Sequence, residues 1–84
     1  MKIETVLAQV FSEIDRAEKL HPAWPRDPVK ACSLLAEEAG EAVRAANTFD
    51  ETRAGKKEII TEAIHTAATA IRLLKNIEET ENHE

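Results

Sequence analysis

This sequence is poor in almost everything that marks a stapled, strand-rich or membrane-spanning protein. Cys32 is the only cysteine, so no disulfide closes within the chain. Gly40 and Gly55 are the only glycines, which excludes a glycine-rich phosphate loop. Tyrosine is absent and Trp24 is the single tryptophan. No apolar run approaches the roughly 18 residues needed to cross a bilayer, so no membrane association is expected. Lysine and arginine are outnumbered by aspartate and glutamate, giving a formal net charge of −5. A nucleic acid polymer is therefore not expected as a partner, because phosphate backbones demand clustered basic side chains. A single thiol and the lack of a secretory leader point to a reducing, cytoplasmic setting.

What is present favours helix, since alanine and glutamate abound. The 84 residues suffice for one domain. A lone core of this size supplies about 3–5 kcal/mol, so partners or metal are expected to add stability. Met1 to Leu20 predicts a first helix, with Ile3, Val6, Leu7, Val10, Phe11, Ile14 and Ala17 at steps of three and four. The prolines at 22 and 25 break the pattern. Asp27-Pro28 then supplies a cap and a first helical residue, predicting a second helix from Pro28 to about Ala46. Its apolar arc holds Val29, Ala31, Cys32, Leu35, Ala36, Ala39, Ala42, Val43 and Ala46, with Cys32 expected as a small core filler. Asn47 to Gly55 reads as a linker, and Lys56 to Ile77 as a third helix. The apolar face of this third helix carries Ile59, Ile60, Ala63, Ile64, Ala67, Ala70, Ile71, Leu74 and Ile77. The expected fold is an all-α, antiparallel bundle of about three main helices over residues 1–77, completed by homo-oligomerisation. Residues 78–84 are expected to form a frayed acidic tail.

The other faces are unusual. Leu34, Glu38, Glu41 and Ala45 share a narrow stripe of the second helix, with Lys30 and Glu37 beside it. Glu58, Glu62, His65, Thr69 and Arg72 line one side of the third. Each helix thus offers two contact faces. Carboxylates crowded on facing helices repel one another, and burial adds a desolvation cost that a divalent cation relieves. The plain alternative is a solvated row of glutamates, which helices commonly carry.

Leu35-Ala36-Glu37-Glu38-Ala39-Gly40-Glu41-Ala42 resembles the EExxE segment of the MazG-type, all-α nucleoside triphosphate pyrophosphohydrolases. Glu62-Ala63-Ile64-His65 stands where that family has its later ExxD segment. The stretch from His21 to Pro28, with its Trp24-Pro25 and Asp27-Pro28 pairs, is similar to a short single-domain MazG-like subgroup. The likeness spans about residues 20–75. It implies a helical bundle completed as a homodimer or homotetramer, and hydrolysis of a nucleoside triphosphate to monophosphate and pyrophosphate with Mg²⁺ or, alternatively, Mn²⁺. Carried over by position, Glu38, Glu41 and Glu62 would be metal ligands, with His65 as a fourth. Glu37 would orient the attacking water or hold a second ion, and Glu37 or Glu41 would accept its proton. Lys30 and Arg72 are either phosphate contacts or counter-ions to the carboxylates. Trp24 either stacks on a base or packs the loop, the second being the commoner use of such a residue.

His65 departs from the family pattern, where Asp is expected. An imidazole removes one negative charge and one oxygen ligand, and suits transition metals better than Mg²⁺. The departure also raises an alternative: a catalytically degenerate helical module that binds nucleotide or a protein partner without turnover.

Overall fold

The computed structural model describes residues 1–79. Three helices make up the domain: α1 (Ile3–Leu20), α2 (Pro28–Thr52) and α3 (Lys56–Asn76), followed by a 3₁₀ turn at Ile77–Glu79. The described residues contain no strand. The fold is all-α with three main helices, as the periodicity predicts. The remainder of the expected acidic tail, 80–84, lies outside the described residues.

Local chemistry explains the start of α2. Asp27 sits in extended conformation and its Oδ1 accepts from the Val29 N–H at 2.9 Å, while Pro28 opens the helix. The end of α2 differs from the sequence expectation. The helix continues to Thr52, so the linker shrinks to Arg53–Gly55. Asn47, Thr48 and Asp50 look like linker residues, yet each costs only about 0.5–0.7 kcal/mol in a helix. Phe49, one turn beyond Ala45, is half-buried and lies 5.8 Å from the Arg53 guanidinium, so the added turns cover apolar surface against that small cost. The stop itself is specific: the Arg53 N–H donates to the Phe49 carbonyl at 2.7 Å and Arg53 turns left-handed at φ 57. Thr52 Oγ1 accepts from the Ala54 N–H, and Gly55 at φ 89 supplies the second left-handed residue before α3.

Helix α3 is the centre. It packs against both α2 and α1, which make almost no contact with each other. Glu13 meets His65 and Glu18 meets Lys75, so α1 runs parallel to α3. The α2 and α3 helices are antiparallel.

The inward faces correct the sequence expectation. Among the described residues the buried apolar set is Val10, Ala31 and Ala68, and no large side chain is completely enclosed. Helix α2 turns Ala31, Leu35, Glu38, Ala42, Ala45 and Phe49 toward its neighbour. Much of its expected apolar arc points outward: Val29 is 73% exposed, Val43 is 60% exposed, and Cys32, Ala36 and Ala39 are exposed too. Cys32 is therefore not a core filler. On α3, packed on two sides, the covered residues include Glu62, His65, Ala68, Thr69 and Arg72 together with Ile59, Ile64, Ala67, Ala70 and Ile71 of the expected apolar face, whereas Ile60, Ala63 and Leu74 are exposed. The periodicity marks two faces on each helix but not which one this chain buries. On α2 the mixed, carboxylate-bearing stripe turns toward α3 and much of the expected apolar arc is left outside, whereas Val6, Val10, Ile14 and Ala17 of α1 are covered as expected.

Candidate metal and catalytic centre

The packing of α2 on α3 brings both acidic segments to one place. Each of Glu38, Glu62 and His65 offers a ligand atom, and these atoms all lie within 4.8 Å of one another. Glu38 and Glu62 each keep one carboxylate oxygen, Oε2, that is buried and has no hydrogen-bond partner. Unpartnered buried carboxylate oxygens are costly, and a cation is one of the few groups able to satisfy several at once. Oxygen donors from two glutamates fit Mg²⁺ or Mn²⁺, and the imidazole tilts the set toward the softer ion.

Glu41 is one turn along from Glu38 and exposed, but its carboxyl shares a hydrogen bond with Glu62. The Glu62 carboxyl is held above the ordinary glutamate range, first by burial, then by that bond and the charge of Glu41. Glu38 is also raised, chiefly by burial and then by the charge of Glu41, with Glu13 and Glu37 adding to it. The charge of His65 opposes the shift at both. Glu41, Glu58 and Glu62 line a cavity of about 250 Å³ together with Arg44, so the acidic site opens toward the start of α3.

Glu13 is the participant that sequence reasoning missed. Its carboxylate stands 3.6 Å from His65 Nε2, while Glu62 stands 3.7 Å from Nδ1, so the imidazole bridges two acids from different helices. Arg16 grips Glu13 through two bonds of 2.7 and 2.6 Å. That clasp is the main cause of a Glu13 carboxyl below the ordinary range, with burial opposing and the charge of His65 assisting. In sequence, Glu13 is one of several charges on the polar side of α1. Only the crossing of α1 over α3 singles it out.

The remaining expected residues separate from the cluster. Glu37 is exposed and acts on the centre through its charge on Glu38. Lys30 is exposed on the first turn of α2 and makes no ion pair among the described residues. Arg72 is only 8% exposed and is committed to the fold. It donates to the His21 carbonyl at 2.7 Å, lies 5.0 Å from the centroid of the Trp24 ring and faces Glu18. Trp24 is half-buried with one ring face under that guanidinium, and its indole N–H has no partner. Trp24, Leu34, Glu38, Thr69 and Arg72 contribute to a cavity of about 400 Å³ next to the acidic centre.

Compared with protein-family models, with curated proteins and with solved structures, the chain matches none.

Proposed function

We propose that this chain is a metal-dependent nucleoside triphosphate pyrophosphohydrolase, releasing monophosphate and pyrophosphate. The observation that carries the reading is the meeting of Glu38, Glu62 and His65 from two helices, with ligand atoms within 4.8 Å of one another, beside a 250 Å³ opening. The resemblance of Glu37-Glu38-Ala39-Gly40-Glu41 to the EExxE segment of the MazG-type enzymes supplies the reaction class. Glu38, Glu62 and His65 would hold the ion, with Glu41 at the open edge. Mg²⁺ or Mn²⁺, if held there, would supply charge neutralisation for a triphosphate and Lewis acidity toward water. Glu41, exposed at the open edge beside Glu62, is placed to take the proton from the attacking water. Glu13 positions His65 by holding its Nε2 side.

Pyrophosphate release from a panel of standard and modified triphosphates, with Mg²⁺ and then Mn²⁺, tests the activity. Replacing Glu38 with Gln is expected to lower kcat/KM about a thousandfold, or about 4 kcal/mol of transition-state stabilisation. Unchanged turnover in Glu38→Gln would sink the assignment.

One observation favours a second reading, the degenerate binding module. His65 contacts Glu13 and Glu62 together, so a protonated imidazole closes the cluster as an internal counter-ion. In that case no triphosphate on the panel releases pyrophosphate, and Mg²⁺ or Mn²⁺ leaves the melting temperature where it was.

A further inference from the structure

One ring of the acidic centre faces two carboxylates at nearly equal distance. His65 Nε2 stands 3.6 Å from Glu13, and His65 Nδ1 stands 3.7 Å from Glu62. A neutral imidazole has one N–H and one free lone pair, so only one of its edges can ligate an ion. The distances do not choose the edge; Arg16 does. Its Nε and Nη2 donate to the two Glu13 oxygens at 2.7 and 2.6 Å. Glu13 is thus already matched by a fixed cation, and a dication set between it and Nε2 would meet the guanidinium. Glu62 has no such partner, and its Oε2 is buried without a hydrogen bond. The pair is more than a local surface bridge. Arg16 stays half-exposed at the rim, whereas the Glu13 side chain is only 13% exposed and lies against α3. Glu13, Arg16 and His65 also line a cavity of about 300 Å³ between α1 and α3, which neither Glu38 nor Glu62 lines.

We propose that Arg16 is a positioning residue for the ion. Through Glu13 it keeps the ring N–H at Nε2 and presents Nδ1 to the Glu62 side, which gives the site a preference for Mn²⁺ over Mg²⁺. The inference rests on the metal site of the hydrolase reading, not on turnover. A carboxylate on the far nitrogen of a ligating histidine commonly carries about ten- to a hundredfold in metal affinity. At 3.6 Å the Glu13 contact is longer than a hydrogen bond, so Glu13 acts as a nearby negative oxygen that favours the proton on Nε2. An imidazole nitrogen suits Mn²⁺, whereas Mg²⁺ takes oxygen ligands and keeps its waters. The choice of ion is thereby set from α1, a helix that supplies no ligand of its own.

Calorimetric titration of the full chain with Mn²⁺ and with Mg²⁺, in the absence of nucleotide, tests it. Mn²⁺ is expected to bind about tenfold or more tightly than Mg²⁺. Arg16→Ala should weaken Mn²⁺ about tenfold and leave Mg²⁺ within about twofold. The sign is diagnostic, because deleting a nearby positive charge would by itself tighten a dication. On a His65→Ala background Arg16→Ala should no longer weaken Mn²⁺, as an effect carried through the ring requires. Arg16→Lys, which keeps the charge and loses the fork, should fall between. Pulsed EPR of the unsubstituted, Mn²⁺-loaded chain reads the ligand directly and depends on no variant folding; coupling to one imidazole nitrogen is expected. Three results would each overturn the proposal: Arg16→Ala binding Mn²⁺ as tightly as the unsubstituted chain, an equal loss on the His65→Ala background, or no nitrogen coupling. Pyrophosphate release is scored apart. Arg16-dependent Mn²⁺ binding without turnover keeps this inference and ends the hydrolase reading, and turnover with Mn²⁺ binding indifferent to Arg16 does the reverse.

Discussion

At the loop end of the groove, Arg72 is buried and has an acidic side chain opposite its charge. A carbonyl accepts its hydrogen bond, an indole lies under its guanidinium, and Glu18 faces it while also accepting from Lys75 at 2.7 Å. Along the same groove, Glu38, Glu41 and Glu62 crowd together with one imidazole between them and two buried oxygens unpartnered. Both ends keep buried polar atoms without hydrogen-bond partners, Arg72 Nε and the Trp24 indole N–H at the first, but the charge of Arg72 has a carboxylate opposite it, whereas the three carboxylates have one imidazole among them. The first has the character of a structural latch and the second of a site, although Arg72 and Glu38 line the same 400 Å³ cavity. Burial of a charge is therefore a poor guide to function by itself; the balance of its partners is more telling.

That contrast is open to test. The largest effect on stability should follow Arg72→Ala, which strands the His21 carbonyl and removes the cation from the Trp24 ring. A loss of about 3 kcal/mol is expected from urea denaturation. A fold that tolerates the change, with triphosphate affinity alone reduced, would move Arg72 from the latch to the site.

Glu62→Gln should act in the opposite direction. The folded protein holds this carboxyl above its unfolded value, so ionising it costs folding free energy. The cost appears as pH rises through the unfolded glutamate range and is complete above the folded value. Metal-free Glu62→Gln is thus expected to melt at a higher temperature than the unsubstituted chain near neutral pH, with the gain vanishing in acid. Glu13, lowered by Arg16, has the reverse sign: its contribution is present above the unfolded value and is lost as pH falls through the folded one. A destabilised Glu62→Gln protein at neutral pH would show that this carboxylate is stabilised by its surroundings rather than strained by them.

The smallest effect belongs outside both regions. Asp27→Ala removes the cap on the Val29 N–H and should cost about 1 kcal/mol in thermal or urea unfolding, with metal response unchanged. An altered metal response would tie the start of α2 to the site and blur the division drawn here.

Much of this was legible in the residues themselves. Steps of three and four gave three helices, Asp27-Pro28 gave the start of α2, and the two acidic segments were identified before their meeting was seen. The end of α2 was not legible, because Asn47 to Thr52 carry linker chemistry and the helix nevertheless runs on through half-buried Phe49 to Thr52. Glu13 was not legible either, because nothing near it in the chain distinguishes it from Glu4 or Asp15.

The sequence alone determined that the chain is helical, where the first loop falls and that each helix carries two unlike faces, since these follow from local propensity and period. The tertiary structure decided which face turns inward, which charges find partners and that α1 contributes to the acidic centre. Those choices depend on how helices distant in sequence cross, and no local pattern encodes the crossing.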